Sequence, residues 1–174
     1  SINLASIVLI LLIGIPIGVS FAVKEGSFYD RFMTIFVFIG FAIPTFWLSL
    51  VLMDLVGVRW GILPISGIKS LEFEKFTFFE KLFDISKHLV LPVFVSAFGG
   101  LAGISRYMRS NMAHVLKQDY IRTARAKGLS EREVVYKHAL KNALLPVVTI
   151  LGLSIPALIG GSVIFESIFS IPGM

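Results

Sequence analysis

Four long stretches of this chain carry no charged side chain, and that pattern limits the fold more than any other feature of it. They run from Ile2 to Val23, Phe32 to Met53, Leu89 to Ser105 and Ala143 to Phe165. A helix needs about 20 apolar residues to cross the hydrocarbon of a bilayer. Three of the runs reach that length, and the third, at 17 residues, falls just short. In lipid every backbone polar group must be satisfied internally, so such runs are expected to be helices. With 56% hydrophobic residues and a mean hydropathy of +0.86, the composition matches a membrane protein and not a soluble domain. The expected fold is an all-α integral membrane bundle. Its spans lie near 2–23, 32–56, 89–108 and 143–166, with loops at 59–88 and 109–142.

Charge in the loops orients the bundle. Residues 106–141 hold nine Lys/Arg against three Asp/Glu, and the loop 59–88 holds five against four. The turn Lys24–Arg31 is balanced at two against two and falls on the same side as the basic segment. Positive charge concentrates on the cytoplasmic side. The basic loop and Lys24–Arg31 are therefore expected inside and 59–88 outside, which places both chain ends outside. The chain opens on Ser1 within an apolar run, with neither Met nor a basic leader, and stops at Met174 just after another run. It reads as a fragment of a longer subunit. Its first run lacks the charged n-region and clear cleavage site of a signal peptide.

Helix-breaking residues punctuate the spans. Gly14, Pro16 and Gly18 lie in the first, Pro44 in the second, and Pro156, Gly160 and Gly161 in the fourth. They read either as packing devices or as hinges. Pro92 is expected in the first turn of the third span, where its missing N–H costs nothing. Gly99, Gly100 and Gly103 leave one face of that span small enough for close packing. In the outer loop, LEFEKFTFFEKLFD (Leu71–Asp84) spaces phenylalanines and charges as an amphipathic helix. It reads as a helix lying in the membrane interface, or as a contact surface for an external partner.

The polar stretch DYIRTARAKGLSEREVVYKHALKNALLP (Asp119–Pro146) reads as two short helices joined at a glycine. Asp119 is expected to cap the first, and Gly128 suits the left-handed position after its end. Ser130 caps the second, with Glu133 completing a capping box. A basic loop beside a span can be a solvated, lipid-facing segment, while 36 residues between two spans are a poor place for a nucleic-acid-binding helix-turn-helix. Defined turn chemistry favours a docking elbow, and no nucleic-acid partner is expected.

No enzyme constellation stands out. There is no GxSxG or Ser/His/Asp grouping, no phosphate-binding GxxxxGK[ST], and no cysteine. His88, His114 and His138 are not spaced as a metal site. Asp54 and Glu166 are the carboxylates closest to the spans. Both read as interfacial or structural residues, with ion coupling as the alternative. A self-contained channel or ion-coupled carrier using Asp54 or Glu166 is accordingly the second functional reading.

The stretches DYIRTARAKGLS (Asp119–Ser130) and HALKNALLPVVT (His138–Thr149) resemble the cytoplasmic EAA signature loop of ATP-binding cassette importer permeases. GILPISG, SRYMRSNM and the closing GGSVIFESIFSIPGM extend the likeness over essentially the whole chain, to the first-permease branch of the dipeptide/oligopeptide/nickel family. Arg122-Thr123-Ala124 stands where Glu-Ala-Ala is usual, and the spacing from Gly128 to Pro146 is longer than in sugar and amino-acid permeases. Both departures are typical of the peptide branch.

The resemblance implies six spans in a full subunit, of which these would be the second to fifth. It implies a second permease subunit, two cytoplasmic ATPases that hold ATP and Mg, and an external solute-binding protein, in a cell inner membrane; no cofactor is expected on this chain. Asp119, Tyr120, Arg122, Thr123, Ala124, Arg125, Ala126, Lys127 and Gly128 would form the coupling helix. Ala124 and Gly128 would give the ATPase close approach. Pro44, Pro156 and Glu166 would belong to the pathway or its outer gate. Peptides are the default cargo, in a family that also carries nickel, glutathione and oligosaccharides.

Overall fold

The computed structural model describes residues 2–159 and 163–171, whose regular structure is helical, joined by turns and a loop at 60–72, with no strand among them. Helix α1 covers Ile2–Val23, α2 Phe28–Ala42 and α3 Thr45–Leu52, the last continued by a π-helical turn over Met53–Arg59. Helix α4 covers Phe78–Val115 and α5 Asp119–Ala126. A single turn, α6, at Glu131–Glu133 leads through a π-helical segment, Val134–Ala139, into α7 (Leu140–Ala143) and α8 (Leu145–Ile159). Helix α9 covers Val163–Phe169. Residues 160–162, with Gly160 and Gly161, read above as packing devices or hinges, lie outside the described residues, as does the side chain of Pro156.

Three stretches, in α1, in α4 and across Glu131–Ser154, are long and apolar enough to cross a membrane. A fourth is the pair formed by α2 and α3, bent by 90°. The run expected to be one span is thus broken at Ile43-Pro44, where both residues are extended, at ψ 119° and 133°. The physical reason is local. Proline excludes its predecessor from the helical region and has no N–H with which to continue the ladder.

The third apolar run is also different from expectation. It forms the middle of α4, a helix of 38 residues. At 1.5 Å per residue that is about 57 Å, against a hydrocarbon core of about 30 Å. Of the amphipathic stretch Leu71–Asp84, only Phe78–Asp84 belongs to this helix, as its first two turns; the part before Thr77 is loop with a single 3₁₀ turn at Phe73–Lys75, so the expected interfacial helix is not a separate element. Pro92 accordingly sits in the helix interior, buried, and not in a first turn. The start of α4 is set by Thr77. Its N–H and Oγ1 both contact Glu80 Oε2 at 2.8 Å, half of a capping box whose T-x-x-E signature is visible in the sequence.

Helices α1 and α4 form the central pair. A Cβ on Gly18 would fall 2.6 Å from both Met108 Cβ and the Ser105 carbonyl, so only glycine allows this approach. Two apolar clusters flank the pair. The larger joins Val19 and Ala22 to Met108, Met112, Ile121, Val134, Val147 and their neighbours, at the elbow end. The smaller contains Leu91, Val95 and Phe169, packed by Leu48, Leu52, Leu63 and Ile168 at the opposite end. There Gly67 N–H donates to the Phe169 carbonyl at 2.9 Å. Asp84, buried on α4, accepts Ser70 N–H at 2.8 Å and the Ser70 hydroxyl, while His88 Nδ1 donates to the Asp84 carbonyl at 2.8 Å. These bonds tie the loop before α4 onto its flank.

Candidate functional site: the basic elbow

The elbow is built from local chemistry. Gly128 has φ +79°, in the region that glycine adopts at no steric cost. Its N–H donates to the Arg125 carbonyl at 2.9 Å, and Leu129 N–H reaches back to the Ala124 carbonyl at 3.4 Å. Those two bonds make a Schellman motif, and Leu129 packs against the core as the motif's apolar partner. Ser130 then starts the next helix. Its Oγ accepts from Glu133 N–H at 3.3 Å, and its own N–H donates to Glu133 Oε2 at 3.2 Å. Both sides of the turn were legible in the sequence. Asp119 is not: the N-cap is Gln118, without a side-chain cap bond, and Asp119 is the first helical residue. There its charge still favours the helix N-terminus, and its Oδ1 lies 3.4 Å from Arg122 Nη1.

Three side-chain links clamp the elbow. Arg125 grips Glu131 across the glycine turn, Nε to Oε1 at 2.6 Å and Nη2 to Oε2 at 3.3 Å. Asn142 Nδ2 donates to the Tyr120 hydroxyl at 2.8 Å, tying α5 to α7. Lys117 pairs with Glu25 of the α1–α2 turn at 3.2 Å.

Helix α5 has an inner and an outer face. Ile121 and Ala124, one helical turn apart, are buried in the larger core. This corrects one expectation. Ala124 was to give an external partner close approach, but the helical period turns it into this chain's own interior. The other eight residues expected to couple are exposed: Asp119, Tyr120, Arg122, Thr123, Arg125, Ala126, Lys127 and Gly128. Outer residues of the elbow therefore stand on a floor made rigid by Ile121, Ala124, Val134 and Val135.

Sequence reasoning missed the strongest polar contact. Asp30, with its side chain 4% exposed, takes both arms of Arg109, Nε to Oδ1 and Nη2 to Oδ2, each at 2.7 Å. Gly26 N–H adds a third bond at 3.0 Å, and Ser27 Oγ caps α2 by accepting from Asp30 N–H at 3.1 Å. A bidentate arginine–carboxylate pair of this kind fixes orientation as well as adding energy. It locks the α1–α2 turn to α4 just before the elbow. Ser27-x-x-Asp30 carries a local capping signal, but nothing local points to a partner 79 residues away.

The pathway candidates are dispersed. Pro44 is exposed at the α2–α3 break, and Glu166 is half-buried in α9, its carbonyl accepting from Ile171 N–H at 2.9 Å. Helix α9 packs on α3, so the two lie in neighbouring elements at the end of the molecule away from the elbow. Asp54 is exposed and paired with Arg59 at 2.8 Å across the π turn.

These features define the class: a polytopic helical membrane protein whose basic connection between spans is folded into a rigid, one-sided elbow. Comparison with known sequences gives the family. The model of the family described as "Binding-protein-dependent transport system inner membrane component" matches residues 14–174, and the chain belongs to it. It is 50% identical over 171 residues to the oligopeptide transport system permease protein AppB of Bacillus subtilis, covering 98% of this chain and 52% of that protein. It is 40% identical over 178 residues to the dipeptide transport system permease protein DppB of Escherichia coli K12, covering 93% and 52%. A di/tripeptide transport system permease protein DppB of Pseudomonas aeruginosa is 41% identical over 174 residues, covering 92% and 52%. The chain thus spans about half the length of the curated relatives it matches.

Proposed function

We propose that this chain is the transmembrane part of an ATP-driven importer subunit that forms half of a translocation pathway for di- or oligopeptides. The observation that carries this reading is the elbow: its inner face is sealed into the chain's own core while its outer face stands exposed and basic. The peptide permeases to which the chain is similar support the cargo. The elbow faces the cytoplasm of a cell inner membrane, in accord with the positive charge of its loop. Its partners are a second permease subunit, two cytoplasmic ATPases that hold ATP and Mg²⁺, and an external solute-binding protein.

Mechanically, a force on the outer face of α5 is passed on because the elbow does not yield. The Schellman turn, the Ser130 capping box and the Arg125–Glu131 clamp keep α5 in register with α6. The π-helical segment runs directly into α7 and α8, so displacement of α5 becomes rotation of the following span. At the other side, Lys117–Glu25 and Arg109–Asp30 carry it to α4, α1 and α2. ATP-linked closure of the ATPases then shifts the population between inward- and outward-open states.

The reading is tested by purifying the full subunit from solubilised membranes. A second permease and ATPases should accompany it, and they should be lost when Arg122 and Lys127 are both changed to glutamate, with the spans still inserted. A subunit that purifies alone and moves solute in liposomes would overturn the proposal. The ion-coupled alternative has less support, since the Asp54 carboxylate is already held by Arg59 at the surface.

A further inference from the structure

A cleft of about 180 Å³ opens between α1, α2 and α4 beside the Asp30–Arg109 pair, lined by Phe21, Thr34, Phe38, Gly103, Arg106 and Arg109 among others. Its depth can be read from the chain. Phe21 lies in the last turn of α1 before Lys24, and Arg106 is the first charge after the apolar run of α4. The cleft therefore sits at the boundary between hydrocarbon and headgroups, on the elbow side of the bundle. Its wall is apolar apart from the two guanidiniums and Thr34, whose hydroxyl donates to the Asp30 carbonyl at 2.7 Å.

The two arginines are not equivalent. Arg109 is neutralised by Asp30. Arg106 is exposed and has no carboxylate partner among the described residues. Its guanidinium carbon lies 4.6 Å from the Phe38 ring centroid, within cation–π range. That contact holds the fork beside the cleft, and no hydrogen bond from it reaches another described residue. The wall offers no acid to satisfy it, because the one nearby carboxylate is consumed. At Gly103 an added Cβ would meet nothing within 4 Å, so the space beside Arg106 is empty at backbone depth. A ligand suited to this place has an anionic group at headgroup level and hydrocarbon below it.

We infer that this cleft binds an anionic phospholipid of the elbow-side leaflet, its phosphate on Arg106 and its upper acyl chain along Phe21 and Gly103. Charge complementarity and depth select lipid over a soluble anion, which would have no use for the apolar wall. The placement in the cytoplasmic leaflet rests on the orientation proposed above. Lipid in the cleft braces α2 against α4 at the point where movement of the elbow enters the bundle.

The test uses the full permease complex with every native tryptophan changed to Phe, Trp47 and Trp60 among them, and a single reporter placed by Phe38→Trp, which keeps a ring beside Arg106. The complex is reconstituted with dibrominated phosphatidylglycerol or dibrominated phosphatidylcholine, and tryptophan quenching gives their relative affinity. A preference for phosphatidylglycerol on the order of five-fold is expected, the worth of one basic residue at an anionic surface. Arg106→Gln should bring the ratio to one, Arg106→Lys should keep part of it, and Gly103→Leu should weaken quenching by both lipids. Equal quenching by the two lipids, or a preference that survives Arg106→Gln, would overturn the site. Quenching by neither would also overturn it, meaning that protein or the solute path covers the cleft. Retention of the ATPases is scored in parallel. Their absence with the preference intact would sink the importer reading and leave the lipid site standing.

Discussion

The two ends of this bundle are built differently. At the elbow end a continuous apolar core reaches from α1 through α4 into α5 and the π-helical segment, and short-range caps and ion pairs enclose it. At the opposite end a small cluster around Phe169 is overlaid by a loop, and large apolar groups remain uncovered: Phe78, Phe79, Leu82 and Phe83 are all more than half exposed. The elbow end leaves Phe28 exposed beside the Asp30–Arg109 pair, but its core is otherwise closed by contacts within the chain. The other presents surface that this chain alone does not bury. Under the importer role proposed above, an elbow that passes on force would call for such closed, redundant contacts. The far end is held instead by ties of a loop to the bundle, Ser70 on Asp84 and Gly67 on the Phe169 carbonyl.

If that contrast is correct, substitutions should have unequal effects. The largest is expected from Asp30→Ala, which leaves Arg109 facing a buried site without its carboxylate. Breaking a buried pair in this way costs about 3–5 kcal/mol. The thermal midpoint of the purified full subunit should fall sharply, and a drop no larger than that of a surface variant would remove the lock from the elbow end. Gly128→Val comes next. A β-branched residue at φ +79° costs about 1–3 kcal/mol of backbone strain. Substrate-stimulated ATP hydrolysis should persist while uptake falls, and unaltered uptake would mean that the turn does not transmit movement. Ser130→Ala should cost about 0.5–2 kcal/mol by removing a helix cap, read as faster proteolysis of the loop at residues 117–130. The smallest effect belongs to the far end. Phe79→Ala should change stability by no more than about 0.5 kcal/mol, because its ring is 80% exposed. A large loss there would show that the outer surface is buried in the assembled protein and would sharpen the contrast into one of partners.

Much of the elbow was legible in the sequence because its determinants are local. Gly128, Ser130 and Glu133 act within six residues of one another, and a glycine followed by S-x-x-E has few other structural uses. The apolar runs were legible for the same kind of reason, since crossing lipid requires length and lack of charge and nothing more. Thr77-x-x-Glu80 carried an equally local signal for the start of α4. The bent second run was half legible: Pro44 marks the break, but a proline does not state the angle across it.

What tertiary structure decided is which faces meet. Residue type alone did not reveal that Ala124 turns inward while Ala126, two positions on, stays exposed; that depends on where Met112 and Val134 lie. Nor did it reveal that Arg109 pairs with Asp30 while Arg106, three residues earlier, sits against the Phe38 ring with no carboxylate partner among the described residues. By itself the sequence determined that this is a polytopic helical membrane protein with one defined basic elbow, because bilayer thickness and helix capping act on contiguous residues. The assignment of each arginine, the inner and outer faces of α5 and the seat of Phe169 against α4 came from packing. They depend on contacts between residues far apart in the chain, and no local pattern encodes those.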